Sequence, residues 1–281
     1  MGAIASVSDL VARMSGGSSG TPENINWFKS GRVAGAAAPT PLAGSMHSRW
    51  LEEGVPGHAA TPAALLHPTN VSQGGMKQTD PSGGRQKWLT AFSHLFGDAG
   101  TILLVDRLAQ VGGLSSSSTS NQSIASTITR YTNGIGNFIW LEIDTQPGSP
   151  TTTTFHFDYT DENNGSATTY EHQIGASNYN TPQQILIPGL APIAGVGGAG
   201  VKNMTNFKLA SSSGTAGDYA AVVAHPLCFA SANLAGIMSI ANWMQGCLPV
   251  EILTDACLQL ILFTNSNVYA PSEGMLSMVE A

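Results

Sequence analysis

The distribution of hydrophobic and polar residues divides the chain into two parts near residue 95. After that point, apolar residues fall in short runs rich in β-branched and aromatic side chains, such as TILLVDRL, NFIWLEIDT and DYAAVVAH. Clusters of turn-forming residues separate these runs at regular intervals. Evenly spaced short strands are typical of an antiparallel β-sandwich or jelly roll. The pattern therefore predicts a mainly β domain over residues 96–281.

The first 95 residues have a different pattern, in which Gly, Pro and Ala dominate. Their spacing leaves room for one amphipathic helix over 7–14, where apolar residues recur at helical intervals. Large aromatic residues, among them Trp27, Phe28 and Trp50, interrupt the rest. A disordered tail would be poor in aromatics. We therefore expect residues 1–95 to form an extended arm with a short helix, anchored on its own body or on a neighbouring subunit.

Two of the predicted strands flank QPGSP, a connection rich in turn formers. Paired as a hairpin, they would place Leu141 opposite Phe155 and Ile139 opposite Phe157. The odd-numbered positions would then share one apolar face: Ile139, Leu141, Ile143, Phe155, Phe157 and Tyr159. Phe138 and Trp140 would lie on the polar face, which we expect the arm or another subunit to cover.

The same polar face carries the residues that most resemble a catalytic or metal site. His156, Asp158 and Asp161 lie close together in sequence and would be the candidates if the protein were a β-sandwich hydrolase. A sugar-binding site would want aromatics beside carboxylates, which Trp140 and Glu142 could supply. However, strand alternation followed by an acidic turn explains the cluster without any ligand. We therefore expect no catalytic residues, no metal and no cofactor, and a protein that is not an enzyme.

Composition favours a protein that works by contact. Only 10% of the residues are charged, against about 25% in ordinary soluble domains. Such a surface suits a subunit largely covered by partners. The net charge is −7 with no basic run, which argues against nucleic-acid binding. Neither a signal peptide nor a membrane-spanning run appears in the sequence, so we expect no membrane association.

Several segments together resemble a group of tailed-bacteriophage virion structural proteins. They are LLVDRLAQVGGLS, TRYTNGIGNFIWLEI, SGTAGDYAAVVAHPL, EILTDACLQL and the terminal SMVEA. The resemblance implies a head-associated component such as a capsid decoration or cement protein. Its partners would be the major capsid protein, other virion proteins and further copies of itself. It would be assembled in the host cytoplasm and located in the virion. A neck, tail or fibre-associated protein that contacts a receptor remains the alternative.

Exposed aromatic anchors are the side chains that such a protein would use for assembly, because they tend to dominate interface energies. Five residues are predicted at the interface: Trp27, Phe28, Trp50, Phe138 and Trp140.

Overall fold

A computed structural model describes residues 4, 6–16, 21–33, 42–175, 183–188, 200–242, 249–267 and 270–281. These residues form one helix, α1 (Val7–Met14), and seventeen strands. The strands are β1 (Pro22–Val33), β2 (Ser45–Ser48), β3 (Glu52–Val55), β4 (Lys87–Phe96), β5 (Gly100–Ser115), β6 (Gln122–Ser123), β7 (Phe138–Thr145), β8 (Thr153–Asp161), β9 (Ser166–Thr168), β10 (His172–Ile174), β11 (Gln184–Leu186), β12 (Val201–Leu209), β13 (Asp218–Ala232), β14 (Met238–Asn242), β15 (Val250–Ile252), β16 (Leu258–Thr264) and β17 (Ser272–Glu280). The prediction of a mainly β, antiparallel body is confirmed.

The predicted helix also forms, over the predicted residues. The Ser6 hydroxyl caps it by accepting a hydrogen bond from the Asp9 backbone N–H at 3.1 Å. The Arg13 guanidinium pairs with the Asp9 carboxylate one turn earlier, at 2.8 Å. Leu10 is the buried residue of the helix, and α1 contacts β17.

A closed antiparallel barrel occupies the centre of the molecule, with strand order β11-β2-β16-β5-β13-β7. One hydrophobic cluster receives a residue from most of these strands: Val105, Trp140, Ile185, Val222, Ala224 and Ile261. Because only the inward face of a closed barrel can bring all these strands together, this cluster fills the barrel.

Two further sheets pack against the outside of the barrel. Sheet I has the order β14-β4-β17-β1-β3, with β15 also paired to β4. Its aromatic residues Trp27, Phe92 and Phe96 share a core with Leu104 and Leu260 of the barrel. Sheet II has the order β10-β8-β12-β6, with β9 also paired to β8. Its core contains a second aromatic group, made of Phe155, Phe157 and Tyr159 from β8 and Phe207 from β12. This group packs against the outward-facing barrel residues of β7, which are Ile139, Leu141 and Ile143.

The predicted hairpin of β7 and β8 is wrong, although its apolar face is real. β7 pairs with β13 and β11 in the barrel, whereas β8 pairs with β10, β9 and β12 in sheet II. The six odd-numbered residues nevertheless lie in one core. Strand alternation fixes which face is apolar, but the same alternation fits two strands that meet face to face across a core.

The first 95 residues take part in the body over their described strands. β1 runs antiparallel to the C-terminal β17, and β4 borders β17 on its other side. The boundary predicted at 95/96 falls inside β4. The segment predicted as an extended arm therefore supplies much of sheet I, because β1 and β4 alternate apolar residues inward and bury them on the barrel.

Candidate functional site: the outward faces of the two sheets

The outward face of sheet I carries a row of side chains across five strands. Cα partners in register run from Met238 on β14 to Leu95, then to Glu273, to Phe28 and to Val55 on β3. Met238 is 56% exposed, Phe28 43% and Val55 61%. Residues paired directly across a sheet point to the same side, so these side chains form one apolar row with a single carboxylate in it.

A second row lies two residues along the same strands. It joins Ile240 to Ser93, Ser93 to Met275, and Met275 to Asn26. Ile240 and Met275 are exposed, and the Ser93 hydroxyl accepts a hydrogen bond from the Met275 backbone N–H at 2.9 Å. The two rows make a continuous apolar surface, called here the sheet I patch: Phe28, Val55, Leu95, Met238, Ile240 and Met275.

Helix α1 covers the other end of this face. Val279 pairs with Pro22 and has the same outward orientation as Met275, but it is fully buried. Because α1 contacts β17, the helix is the element that shields this end. The patch is therefore the part of the outward face that the described chain leaves uncovered.

The outward face of sheet II is polar. The even-numbered residues of β8, which include His156 and Asp158, alternate with the buried aromatics of the inner face. The Asp158 carboxylate accepts hydrogen bonds from the Thr168 hydroxyl at 2.8 Å and the Asn206 amide at 3.2 Å. His156 pairs across the sheet with Lys208. Asp158 is thus hydrogen-bonded by its neighbours, as on a solvated strand face.

Asp161 is the last residue of β8, and Glu162 begins the turn that follows. The Asp161 carboxylate accepts from the backbone N–H groups of Asn163 and Gly165, at 2.9 and 2.6 Å. The Glu162 carboxylate accepts from the Gly200 backbone N–H at 3.1 Å. Backbone capture by an acidic side chain is a common way to hold a tight turn. The acidic cluster thus has a structural explanation, and the expectation that it carries no catalysis stays a prediction.

Three of the five predicted interface residues lie inside the subunit. Trp27, Trp50 and Trp140 are each 2% exposed or less, so they are core residues and cannot touch another chain. Phe138 is half-buried and packs against Trp140, with ring centroids 5.3 Å apart. Phe28 is the predicted residue that the structure exposes. Trp27 is internal because β1 packs on the barrel, and Trp140 is internal because it points into the barrel from β7.

The barrel interior holds a buried ion pair. The Arg107 guanidinium lies 2.9 Å from the Glu142 carboxylate, and both side chains are fully buried. Arg107 also donates to the Gln259 side-chain oxygen at 3.0 Å, and its guanidinium carbon lies 4.5 Å from the Trp50 ring centroid. Trp140 and Glu142, the residues that the alternative of a sugar-binding site would have used, therefore cannot form one, because both side chains are sealed inside the barrel.

Burial changes the pKa of several groups beneath these faces. It lowers the pKa of His94, which stacks between Trp27 and Phe96 under sheet I, to about 4. It lowers the pKa of Lys29 to about 7, where the ammonium donates to the Glu52 and Pro56 carbonyl oxygens. The interior behind sheet I thus disfavours charged forms.

At the barrel mouth, burial and the Glu142 carboxylate raise the pKa of Asp144 to about 8. Asp144 and Asp218 line a shallow cavity of about 320 Å³, which Thr61 and Ala63 border from the first part of the chain. The Thr61 hydroxyl lies 3.4 Å from the Asp144 carboxylate. Within the described ranges, no three His, Cys, Asp or Glu side chains are placed to hold a metal ion together.

Comparisons with known proteins give no family assignment. No protein-family model and no curated protein matches the chain. Among solved structures, the VP2 subviral particle of infectious bursal disease virus is similar over 92% of this chain and 80% of that chain, with 8% identity and a TM-score of 0.20. Structures of the Gx and Gt strains of the same virus match over 92% and 93% of this chain, with 9% and 8% identity and TM-scores of 0.16 and 0.17. The aligned regions cover 79% of the Gx strain chain and 81% of the Gt strain chain. Similarity at this level carries no conclusion about this chain.

The sheet I patch was missed at the sequence level, although a signal for it exists. In MSIAN, apolar residues alternate with small ones, and Met238 and Ile240 take the outward positions. The C-terminal segment SEGMLSMVE, which contains Met275, has too few β-branched residues to be predicted as a strand.

The described residues also contain no helix long and apolar enough to cross a membrane.

Proposed function

We propose that this protein is a structural component of a bacteriophage virion, acting as a capsid decoration or cement protein. In this role it stabilises the head by contacts with the major capsid protein or other virion proteins. It works through surface burial and performs no chemistry. The sequence motifs that resemble tailed-phage virion proteins support a location in the virus particle. The low fraction of charged residues supports a surface that is largely covered by partner subunits.

The observation that carries the proposal is the sheet I patch. Fully burying an exposed Phe side chain contributes about 1.5–3 kcal/mol by area, and Phe28, which is 43% exposed, would gain roughly half of that. Several such side chains in one uncovered surface are unusual for a protein that lives alone in solution. Glu273, in the middle of the row, would contribute specificity by selecting a basic group on the partner.

The barrel supports this role by keeping the patch rigid. Sheet I is held on its inner side by the core it shares with the barrel, and its strands are paired along most of their length. A preformed surface loses little conformational entropy when it binds. A contact protein on a shell under internal pressure benefits from this, because its whole binding energy is then available for holding capsid subunits together.

The copy number of the protein in purified virions tests the proposal. A decoration protein is present in many copies that follow the symmetry of the capsomers. A neck, tail or fibre protein would be present in few copies, on the unique vertex axis. Quantitative mass spectrometry with labelled peptides, together with a symmetry-averaged image of the head, separates the two. Absence from virions would refute both.

A second candidate rests on the polar face of sheet II. Asp158, Ser166, Thr168 and Thr205 border a shallow cavity of about 340 Å³ that is rich in hydroxyl and carboxylate groups. Such groups can hydrogen-bond a carbohydrate, which would suit a receptor-contacting protein. The cavity lacks an exposed aromatic platform among its lining residues. Glycan-array binding that is lost in Asp158→Ala would favour this alternative.

A further inference from the structure

A cavity of about 410 Å³ lies beside β1, where Val55 ends one row of the sheet I patch. This volume falls in the range of about 300–1,000 Å³ that is usual for ligand sites. Ile25 and Met76 form part of its wall. Met76 is fully buried in the core behind sheet I, and Ile25 packs against that core. The cavity therefore offers a firm apolar wall to a side chain that enters it.

The polar groups around this cavity are amides and basic side chains. Asn26 and Gln73 contribute amides, Lys77 an ammonium and His58 an imidazole, and no Asp or Glu is among the lining residues. Lys77 and His58 are exposed, and neither forms an ion pair or a side-chain hydrogen bond within the described ranges. In a chain of net charge −7, a basic rim of this kind is suited to an anionic group.

β1 has an unpaired backbone edge at the same place. β17 pairs with residues 22–29 of β1 on one side, whereas β3 pairs on the other side with Phe28, Lys29 and Val33. Successive residues of an antiparallel strand direct their N–H and C=O groups to alternate sides. Every second residue of 24–27 therefore directs both groups to a side where no described strand pairs with it. A peptide backbone can satisfy such groups by adding a strand.

Both ends of this unpaired stretch are closed. β3 occupies the edge of β1 from Phe28 onwards. At the other end, the Thr79 backbone N–H and hydroxyl donate to the Glu23 carboxylate at 3.1 and 3.0 Å. The four residues between them span about 13 Å. A chain that continued along the edge would meet β3 or Thr79, whereas the end of a chain can enter and stop.

The geometry points to a binding site for the carboxyl-terminal end of a partner protein. The last residues of the partner pair with residues 24–27 of β1, and an apolar side chain enters the cavity against Met76. The terminal carboxylate accepts hydrogen bonds from the Lys77 ammonium and the His58 imidazole, which are stronger than bonds between neutral groups.

Three features select this occupant. The basic rim calls for an anion, the edge of β1 calls for a peptide backbone, and the closed ends call for a chain end. A second copy of this chain is disfavoured, because two copies that each carry −7 repel each other. The site goes beyond the proposed function, and peptide binding can be measured on the free protein without virions. Either can therefore fail while the other stands.

Short peptides test the site directly. The probes are acetyl-Thr-Val-Thr-Leu and the matched peptides that end in Val or Phe, each made with a free carboxylate and with a carboxamide. We expect a free-carboxylate peptide to bind with a Kd of about 1 mM or tighter, at least about tenfold more tightly than its carboxamide. Calorimetric titration measures both affinities. In NMR spectra of the labelled protein, the backbone amides of residues 24–27 should shift.

Substitutions around the cavity separate the two contributions. Lys77→Gln should reduce the preference for the free carboxylate to about threefold or less and leave carboxamide binding unchanged. Lys208→Gln is the matched control, because Lys208 is also exposed but lies on β12 of sheet II; it should bind like the wild type. Gln73→Trp should weaken binding of both peptide forms, because the larger side chain fills the cavity. Thermal unfolding confirms that each variant is folded.

Three results would overturn the inference. One is the failure of every peptide to bind at about 10 mM. Another is equal binding of the carboxylate and carboxamide forms, or an unchanged preference in Lys77→Gln, since the cavity would then not recognise the chain end. The third is binding of hexanoate as tight as that of the peptides without a shift at residues 24–27, which would indicate a site for small organic acids.

Discussion

Sheets I and II have similar inner faces and contrasting outer faces. Both bury aromatic residues against the barrel: Phe92 and Phe96 from sheet I, and Phe155 and Phe157 from sheet II. Outward, sheet I presents exposed Met, Ile, Phe and Val side chains, whereas sheet II presents Thr, His, Asp and Asn. Antiparallel sheets that carry one solvated face normally show the second pattern.

The difference shows that the apolar face of sheet I is not a by-product of β composition. The same chain, with the same low charge, provides sheet II with hydroxyl and amide groups that bond to one another, as Asp158 does with Thr168 and Asn206. Under the proposed function, this outer face of sheet I is the one that meets the virion partner.

Substitutions in the core should have the largest effects on stability, and these effects should be similar for the two sheets. Phe92→Ala and Phe157→Ala remove fully buried rings on the inner faces of sheets I and II. Each should lower the free energy of unfolding by about 3–5 kcal/mol. Urea unfolding followed by tryptophan fluorescence measures both. A loss below about 1 kcal/mol for either variant would contradict the inner packing described for its sheet.

The barrel ion pair should come next. Arg107→Met leaves the Glu142 carboxylate buried without its cation, which should cost about 3–5 kcal/mol. The double variant Arg107→Met/Glu142→Leu removes both charges and should recover much of that loss. Because both sheets pack on this barrel, hydrogen exchange should rise in β4 and β8 together. Faster exchange in one sheet only would mean that the barrel does not couple them.

Stability should depend on pH through a histidine beneath sheet I. The folded-state pKa of His94 is about 4 and its ordinary value is 6.5, so between these values the unfolded chain binds the extra proton. The stability that neutral His94 provides is present above pH 6.5 and is lost as the pH falls towards 4. Relative to His94→Gln, the unfolding free energy of the wild type should fall by up to roughly 3 kcal/mol between pH 6.5 and pH 4.

His172 in sheet II is the matched comparison. Burial lowers its pKa as well, but the side chain is only half-buried. His172→Gln should therefore change the pH dependence less than His94→Gln does. The measurement is the difference in unfolding free energy between each variant and the wild type at a series of pH values. Equal slopes for the two variants would show that the interiors behind the two sheets are equally closed to water.

The smallest effects on subunit stability should come from the outward faces. Thr160→Glu on sheet II should change the unfolding free energy by about 0.5 kcal/mol or less. Phe28→Glu on sheet I should cost somewhat more, about 1–2 kcal/mol, because it removes a partly buried ring and sets a second carboxylate opposite Glu273. Their effects on particle binding should differ strongly, with Phe28→Glu weakening it at least about tenfold and Thr160→Glu leaving it unchanged. Equal binding by the two variants would remove the distinction between the faces.

The sequence predicted local features well because local rules govern them. Helical spacing gave α1 its extent, and strict alternation identified the buried face of β7 and β8. Pairing partners could not be obtained in the same way. The turn between β7 and β8 favours a hairpin, but β13 and β11 occupy the two edges of β7 with which β8 would have to pair.

Interface residues were harder to predict for a related reason. A tryptophan in a Gly- and Pro-rich segment is equally consistent with an arm that seeks a partner and with a segment that folds back. Only the pairing of β1 with β17, from opposite ends of the chain, decides that Trp27 points inward. The same pairing brings Phe28 and Met275 onto one outward face, where no local pattern could have joined them.

Side-chain footprinting of the wild-type protein, free and bound to its particle, tests the central claim most directly. Hydroxyl radicals should oxidise Met238, Met275 and Phe28 on sheet I and the exposed Tyr170 beside sheet II in the free subunit. On the particle, the three sheet I residues should become protected while Tyr170 remains reactive. Protection of Tyr170 with continued oxidation of Met275 and Phe28 would contradict the assignment of sheet I as the contact surface.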